Sequence, residues 1–589
     1  MDVRERRVAT ASGTSGALFV LFLVAYAFRF ALVLQLSGTP FFGALAGEAL
    51  FLEHWARAIA AGNWLGLERA YPAPPFTMYY LAAIYALFGR NMVAVRIVGC
   101  LIDAFNCVLL YAVGKKMFGH LPGLASAALW AVYLPALFYE AVMPGTSALV
   151  ALLLCALNAL ISAASDERRL RAWFFAGACL ALAALGRPHL VAILPVSGLW
   201  SLYSLRRRRP RLRAAAAVAL LGAGFLVVAV LPCARNLVIT GEPGFSVNYG
   251  PGFYVGNYPD DPAGIIPRVR GSLVGGDVEE YTAFASALAG RALTPREASA
   301  FWFRRTLDHI RSQPRAFLER LAQKARDYVG NYEIPDDWDY RYLADRFSVL
   351  RMPAARFGLV LALGVGGTLA ALSAPGPDVR RTGWLLAGLS ATYTGAVLSM
   401  FYVSRYRHFV APILVLGAGY LATALPAAWR DRRLARLAGL SLLSVLVFLQ
   451  GLVRPNPLDH DRAFASCLVL EGVLREQHGD FEGALSCYKR SAEMSGHSPR
   501  PFVYVADLLL SRGDPRGAIE WYYRAQAAGP LSAHELCNMA RSLAMVGRQE
   551  EAVEVAHRAA ALDPTKDEPQ RLLAELETSD IHAATAQGP

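Results

Sequence analysis

Gly16-Ala17-Leu18-Phe19-Val20-Leu21-Phe22-Leu23-Val24-Ala25-Tyr26-Ala27-Phe28 opens an apolar run that continues to Leu36, with Arg4, Arg6 and Arg7 ahead of it. A bilayer core takes about 20 apolar residues per helix, so residues 16–36 read as a membrane span. The run has no small-residue cleavage site and outlasts the apolar part of a secretion signal, which makes it an uncleaved anchor. Working outward, comparable runs occupy about 93–113, 121–139, 146–164, 172–186, 189–205, 214–232, 354–373, 383–402, 409–427 and 436–453. The expected fold class is therefore all-α, a polytopic bundle of about eleven spans. Phe76 to Gly89 is too short for a twelfth and follows Pro72, Pro74 and Pro75, so it reads as a juxtamembrane or re-entrant helix.

Basic residues set the sides. With the N-terminus inside, the cytoplasmic positions receive Lys115 and Lys116, then Arg168, Arg169 and Arg171. They also receive Arg206–Arg209 with Arg211 and Arg213, then Arg380 and Arg381, then Arg430, Arg432 and Arg433. Each dense cluster falls on one face, as the positive-inside rule asks. The other face carries two long loops, 37–92 and 233–353, and everything after 453. The expected location is the cytoplasmic (inner) membrane of a bacterial cell, with the C-terminal part periplasmic. Composition agrees: of 589 residues 55% are hydrophobic and 18% charged, against about a quarter charged in soluble domains. The net charge of +12 sits in arginines at span ends, with five lysines in the chain, so a nucleic-acid groove is excluded. Cys100, Cys107, Cys155 and Cys179 lie in apolar runs and no Cys-x-x-Cys occurs, which leaves zinc and dithiol chemistry without support. No span interior carries a credible charge pair, which counts against a lipid or polysaccharide transporter.

Beyond residue 453 the pattern changes. Gly479, Gly513 and Gly547 recur every 34 residues, and Ala484, Ala518 and Ala552 keep the same register. A 34-residue helix–turn–helix period with small packing residues resembles the tetratricopeptide repeat, and three units are about the least that stack stably. The expected organisation is a membrane domain over 1–453, a linker at 454–462, repeats over 463–577 and a disordered tail at 578–589. The repeats are either a groove for a protein partner or a spacer.

The first outer loop holds Glu48, followed by Glu53-His54-Trp55-Ala56-Arg57. Leu52, Trp55, Ala56 and Ile59 share one helical face, so this is an amphipathic helix along the membrane surface. Glu48 is either an acid favoured by the helix dipole or a general base for an acceptor hydroxyl. In the second outer loop, Phe138-Tyr139-Glu140 precedes Met143-Pro144-Gly145. Glu140 either faces Glu48 across a cavity or is a solvated loop acid. Arg187, Arg405 and Arg407 stand at outer span ends, where fewest cations are expected, and either snorkel to headgroups or bind phosphate. Arg96, just inside the second span, is a further candidate. Asp336-Asp337-Trp338-Asp339 is the densest acidic cluster and reads as a polar loop rather than a metal site. Phosphate-loop, dinucleotide and zincin motifs are absent from the sequence.

In order along the chain, these pieces resemble the GT-C glycosyltransferases, in the branch of protein O-mannosyltransferases and lipid A aminoarabinose transferases. The resemblance runs from Glu48, eight residues before Ala56-Arg57, through Tyr71-Pro72-Ala73-Pro74-Pro75, Ala94-Val95-Arg96, Gly186-Arg187-Pro188 and Ala234-Arg235-Asn236 with Thr240-Gly241-Glu242. It continues through Gly252-Phe253-Tyr254-Val255-Gly256-Asn257 and Asn331-Tyr332-Glu333-Ile334-Pro335 to Ser404-Arg405-Tyr406-Arg407-His408, covering most of 16–453. It implies an inverting membrane glycosyltransferase that takes a sugar from a polyprenyl-phosphate carrier and gives it to a protein, lipid or glycan acceptor at the outer face. Glu48 and Glu140 are then the implied catalytic acids, and Arg96, Arg187, Asn257, Arg405, Tyr406 and Arg407 the implied substrate-binding residues. Ala49 and Gly145 stand where relatives often carry further acids. A divalent cation, which wants several oxygen ligands, therefore has no support in the sequence. The alternative function is an inert membrane scaffold that recruits envelope-assembly partners through its repeats.

Overall fold

The computed structural model describes residues 3–43, 45, 47–71, 73–166, 169–206, 211–241, 243–244, 249–257, 278–335, 338–432, 434–452, 457–495, 498–562 and 567–586. Among these residues every regular element is a helix, and strand-type pairing is confined to one bridge between Tyr133 and Ala355. Several of the features named above (Pro72, Arg168, Arg207–Arg209, Glu242, Asp336, Asp337, Arg433) lie outside the described residues. The chain divides into two compact units, Met1–Pro455 and Asn456–Pro589.

Among the described residues of the first unit six helices are long and apolar enough to cross a bilayer: Ser15–Ser37, Met92–Phe118, Thr146–Ser165, Pro188–Leu205, Leu212–Thr240 and Ala411–Arg430. They coincide with six of the eleven expected spans, and the chain is a multi-pass membrane protein. Leu170–Ala184, Phe357–Leu372 and Gly439–Gly451 are shorter apolar helices at three more of those positions. Phe76–Phe88 is also short, at 13 residues, as its proline-rich approach led one to expect. Helices approach closely where side chains are missing. A Cβ on Gly367 would lie 1.8 Å from the carbonyl oxygen of Gly417, so the helices Phe357–Leu372 and Ala411–Arg430 touch backbone to backbone there.

Two expectations need correction. Residues 121–139 do not form one span. The helix His120–Ala131 stops, Tyr133 bridges to Ala355, and a second helix, Leu134–Val142, starts with proline in its first turn. The end of the first helix is held by Arg29, which donates to the carbonyls of Ala131 at 2.7 Å and Trp130 at 3.2 Å. Orphan carbonyls at a helix end need such a donor where water is scarce. The second correction follows from the same residue. Arg29, in the first span, pairs with Asp103, in the second, at 2.8 Å, with both side chains nearly unexposed. A span-interior charge pair therefore exists. Each helix carries one half of it, so neither stretch alone displays it.

The second unit is three helix pairs and a closing helix. The pairs are Pro457–Gln477 with Phe481–Ser495, Arg500–Ser511 with Pro515–Ala528, and Ala533–Met545 with Gln549–Leu562. Each pair turns on a glycine in the left-handed region, with φ of 80°, 79° and 81° at Gly479, Gly513 and Gly547. A side chain is disfavoured there, which accounts for the 34-residue recurrence. Ala484, Ala518 and Ala552 are fully buried where paired helices meet. The helix Pro457–Gln477 begins inside the stretch expected as a linker, and Asp567–Ala586 runs into the stretch expected as a tail. Leu572 and Leu576 of that last helix join the apolar core of the repeats, as a closing helix must.

Candidate active site

Glu48 lies in the first turn of the helix Gly47–Ala60. Further along that helix Leu52, Trp55, Ala56 and Ile59 are buried in a local core shared with Phe76–Phe88, so the amphipathic pattern of the loop holds. Arg187 comes from the break between Leu170–Ala184 and the short 3-10 turn Pro188–Ala192. A residue before proline is pushed out of the helical region, and Arg187 is extended, with φ −143° and ψ 97°. Arg405 sits on a four-residue turn, Ser404–Arg407. These three side chains line one cavity of about 330 Å3, together with Ala73, Pro74, His189, Tyr249, Phe401, Tyr406 and others.

Within it, an Arg405 terminal nitrogen lies 2.6 Å from one oxygen of Glu48, and Arg187 lies 3.9 Å from the other. Both guanidinium groups flank the Tyr406 ring, at 5.2 Å and 6.0 Å. Burial pushes the Glu48 carboxyl up, but the charges of Arg405 and Arg187 and the Arg405 hydrogen bond outweigh it and hold it below the usual 4.5. Arg187 Nε is buried without a partner among the described residues. Two convergent cations beside a cavity, one with a spare donor, have the chemistry to grip an anion with several oxygens.

The turn that presents Arg405 is clasped to a segment some 70 residues earlier. Ile334 N–H donates to Ser404 Oγ at 2.8 Å, and Ser404 N–H donates to the Ile334 carbonyl at 3.2 Å. Arg407 points away from the cavity, because residues two apart on a helical turn face different ways. It donates to the carbonyls of Tyr328 at 2.8 Å, Tyr332 at 2.6 Å and Gly330, and pairs with Glu333 at 3.0 Å. Tyr139 closes the set by donating to Glu333 at 2.5 Å. Arg407 is thus the rivet of the clasp and does not line the cavity as a phosphate ligand.

Asn257 is likewise engaged in architecture. Its amide donates to the carbonyls of Phe253 and Ser399, and its oxygen accepts from Lys324 Nζ at 2.9 Å. Lys324 also donates to the carbonyls of Leu398 and Met400, which fixes the Ser399–Phe401 wall of the cavity. Glu140 does not face Glu48. It accepts from the backbone N–H of Ser147 at 2.7 Å and of Gly145 at 3.2 Å, capping the helix Thr146–Ser165. Burial pushes its carboxyl up to about 7, against the pull of those two amides. Arg96 donates to the carbonyl of Ala141 nearby. Glu53 is enclosed by Arg57, Arg90 and Tyr85, all on one oxygen. The structure therefore brings Glu48, Arg187, Arg405 and Tyr406 together and assigns Arg96, Glu140, Asn257 and Arg407 to other networks. Sequence reasoning gave no role to His189, which lines the cavity, or to Lys324 and Glu333, which hold the segments around it. Proximity to Arg187-Pro188 was the one signal that could have marked His189. Among the described residues no three His, Cys, Asp or Glu side chains gather to hold a metal ion.

Residues 72–234 match the family described as dolichyl-phosphate-mannose-protein mannosyltransferase. The resemblance to the GT-C glycosyltransferases stands. That match includes Arg187 but neither Glu48 nor Arg405. No curated protein matches the chain. Among solved structures, the chain is similar to the oligosaccharyltransferase of Archaeoglobus fulgidus in complex with an inhibitory peptide and a dolichol-phosphate. There the identity is 12%, the TM-score 0.42, and 77% of this chain and 58% of that one are covered. It is also similar to ArnT of Cupriavidus metallidurans bound to undecaprenyl phosphate, at 15% identity and a TM-score of 0.38, covering 93% and 80%. The chain thus spans rather more than half the length of the archaeal enzyme.

Proposed function

We infer that this protein is a membrane glycosyltransferase that moves a sugar from a polyprenyl-phosphate carrier to an acceptor hydroxyl or amine at the outer face. The observation that carries the reading is the convergence of Glu48, Arg187 and Arg405 on one cavity; the family match over 72–234 supports it. The acceptor oxygen attacks the anomeric carbon while the bond from that carbon to the phosphate oxygen breaks. The bonding pair leaves on the phosphate, and the acceptor proton passes to Glu48. Arg187 and Arg405 hold the growing negative charge on the departing phosphate, which is electrostatic stabilisation of the leaving group.

An inverting transfer places base and leaving group on opposite faces of the reacting carbon. The Glu48–Arg405 contact must therefore open when the donor enters. While they are paired with Glu48, the two arginines hold it as a weak base. Once a phosphate takes those guanidinium groups, the carboxylate loses its partners and becomes the better proton acceptor, so donor binding readies the base.

The test is sugar transfer by purified protein from synthetic polyprenyl phosphates bearing different sugars, reading out release of the sugar-free carrier. Turnover that survives in wild type and falls in Glu48→Gln supports the reading. A protein that binds no such donor and turns over none refutes it, and favours the scaffold, for which Glu48–Arg405 is a permanent ion pair. A chain ending near residue 458 separates the two again. The enzyme should still serve a small soluble acceptor, whereas the scaffold loses its partners.

A further inference from the structure

His189 lines the same cavity as Glu48, Arg187 and Arg405, and the chemistry above gives it no part. Its ring lies against Tyr406, with centroids 5.0 Å apart. Both ring nitrogens, Nδ1 and Nε2, are shielded from solvent and have no hydrogen-bond partner among the described residues. A neutral imidazole carries one donor and one acceptor. Folded proteins rarely leave such groups unmade in a shielded place, because each gives up its water for nothing in return. A side chain in that condition, set in a cavity wall, is completed by whatever enters.

The chemistry of the partner follows from what the neighbours already supply. Arg187 and Arg405 provide the positive charge an anion needs, and Glu48 the acceptor for a proton. A phosphate oxygen can only accept, so it could serve one imidazole nitrogen and would be repelled by the lone pair of the other. A hydroxyl both donates and accepts, so it fits either nitrogen in either tautomer. Phe51, Tyr249, Phe401 and Tyr406 line the same space, and their faces suit the C–H side of a sugar ring while polar groups fix its orientation. We propose that His189 reads the sugar of the donor by hydrogen-bonding one of its ring hydroxyls, which makes it a specificity-determining residue beside the phosphate-holding arginines. This rests on the reading of Arg187 and Arg405 as phosphate ligands.

The experiment compares the binding of sugar-free polyprenyl phosphate with that of the same lipid phosphate carrying mannose, glucose, galactose or N-acetylglucosamine. It uses the full chain as wild type, His189→Phe, His189→Asn and Arg405→Lys. Phenylalanine keeps the aromatic contact with Tyr406 and removes both polar atoms; asparagine restores a donor and an acceptor. The expected result is that wild type prefers at least one sugar-bearing lipid. His189→Phe should hold the sugar-free lipid within twofold while weakening the preferred one about tenfold, and His189→Asn should recover part of the loss. Equal weakening of both lipids by His189→Phe assigns the ring to packing and overturns the proposal. So does no weakening of either, or a wild type indifferent to all four sugars. Arg405→Lys reports separately on the reading beneath: if it leaves the sugar-free lipid as tightly bound as before, the phosphate assignment fails, whatever His189 does.

Discussion

Two buried charge clusters of this protein have the same ingredients and opposite construction. In the first, Arg29 makes four bonds, to Asp103 and to the carbonyls of Ala25, Trp130 and Ala131. Asp103 receives two more, from Trp130 Nε1 and Asn106 Nδ2. Both side chains are at most 2% exposed. In the second, Glu48 and its two arginines are 9–14% exposed and border a cavity. One arginine stands 3.9 Å off, and among the described residues Arg187 Nε and both nitrogens of His189 have no partner. Charges inside a membrane protein are costly and mark either architecture or function. The contrast suggests a rule: a cluster completed by the protein's own carbonyls and amides holds helices together, whereas one left incomplete beside space is open to a ligand.

The sharpest way to break this contrast is to neutralise one carboxylate in each. Glu48→Gln keeps shape and hydrogen bonding but cannot take a proton, so transfer should fall by roughly 10²–10⁴-fold. Thermal stability should barely move, because water in the cavity can solvate the two arginines. Asp103→Leu should do the reverse. It strands Arg29 without its partner, at a cost of about 3–5 kcal/mol, seen as a lower melting temperature in detergent and poor yield. The protein that does fold should keep its turnover per molecule. A stable Asp103→Leu beside an unstable Glu48→Gln would invert the assignment of the two clusters.

Next in size is the pair Arg405 and Arg407, two residues apart on one turn. Lysine cannot grip phosphate with two parallel hydrogen bonds. Arg405→Lys should therefore cost about 1.5–3 kcal/mol of transition-state stabilisation, roughly ten- to a hundredfold in kcat/KM. Arg407→Lys loses bonds to the clasp around Glu333 instead, so it should lower stability and leave donor affinity nearly intact. Binding of sugar-free polyprenyl phosphate by the two variants checks this, and equal losses in both would place Arg407 back in the phosphate site.

How much of this was legible in the chain depends on the range of the interaction. Spans, the amphipathic helix bearing Glu48 and the glycine turns of the repeats are local patterns, with periods and lengths that the bilayer and the helix impose. Arg187 and Arg405 stand out because they break the sidedness of charge. Arg407 stood out for the same reason, yet only the fold shows that its turn aims it at Glu333. Asn257 and Glu140 looked like site residues because their neighbours resemble a family. What claims them is Lys324, 67 residues away, and the start of the helix at Thr146. Arg29 and Asp103 are 74 residues apart, and a single charge in each of two spans carries no sign of its partner. His189 was passed over because a histidine at the head of an apolar run is unremarkable until its neighbours are known to leave it unpartnered.

The smallest expected effect is a displacement in pH, and it tests whether the incomplete cluster is completed by the donor. Paired with Glu48, Arg405 and Arg187 hold its carboxyl below 4.5 against the burial that raises it, so the carboxylate stays ionised well into acid. The profile of kcat/KM reports the free enzyme, and its acid limb should lie below that value. In the donor complex the phosphate shares the guanidinium groups and adds its own negative charge. Both changes favour the protonated carboxyl, so the acid limb of kcat should sit at higher pH than that of kcat/KM. Replacing Arg405 by Gln removes the nearer cation and should move the kcat/KM limb upward, closing the gap between the two profiles. Coincident limbs in wild type would mean that the donor leaves the Glu48–Arg405 contact untouched. The carboxylate would then be as permanently paired as Asp103, and the difference between the two clusters would vanish.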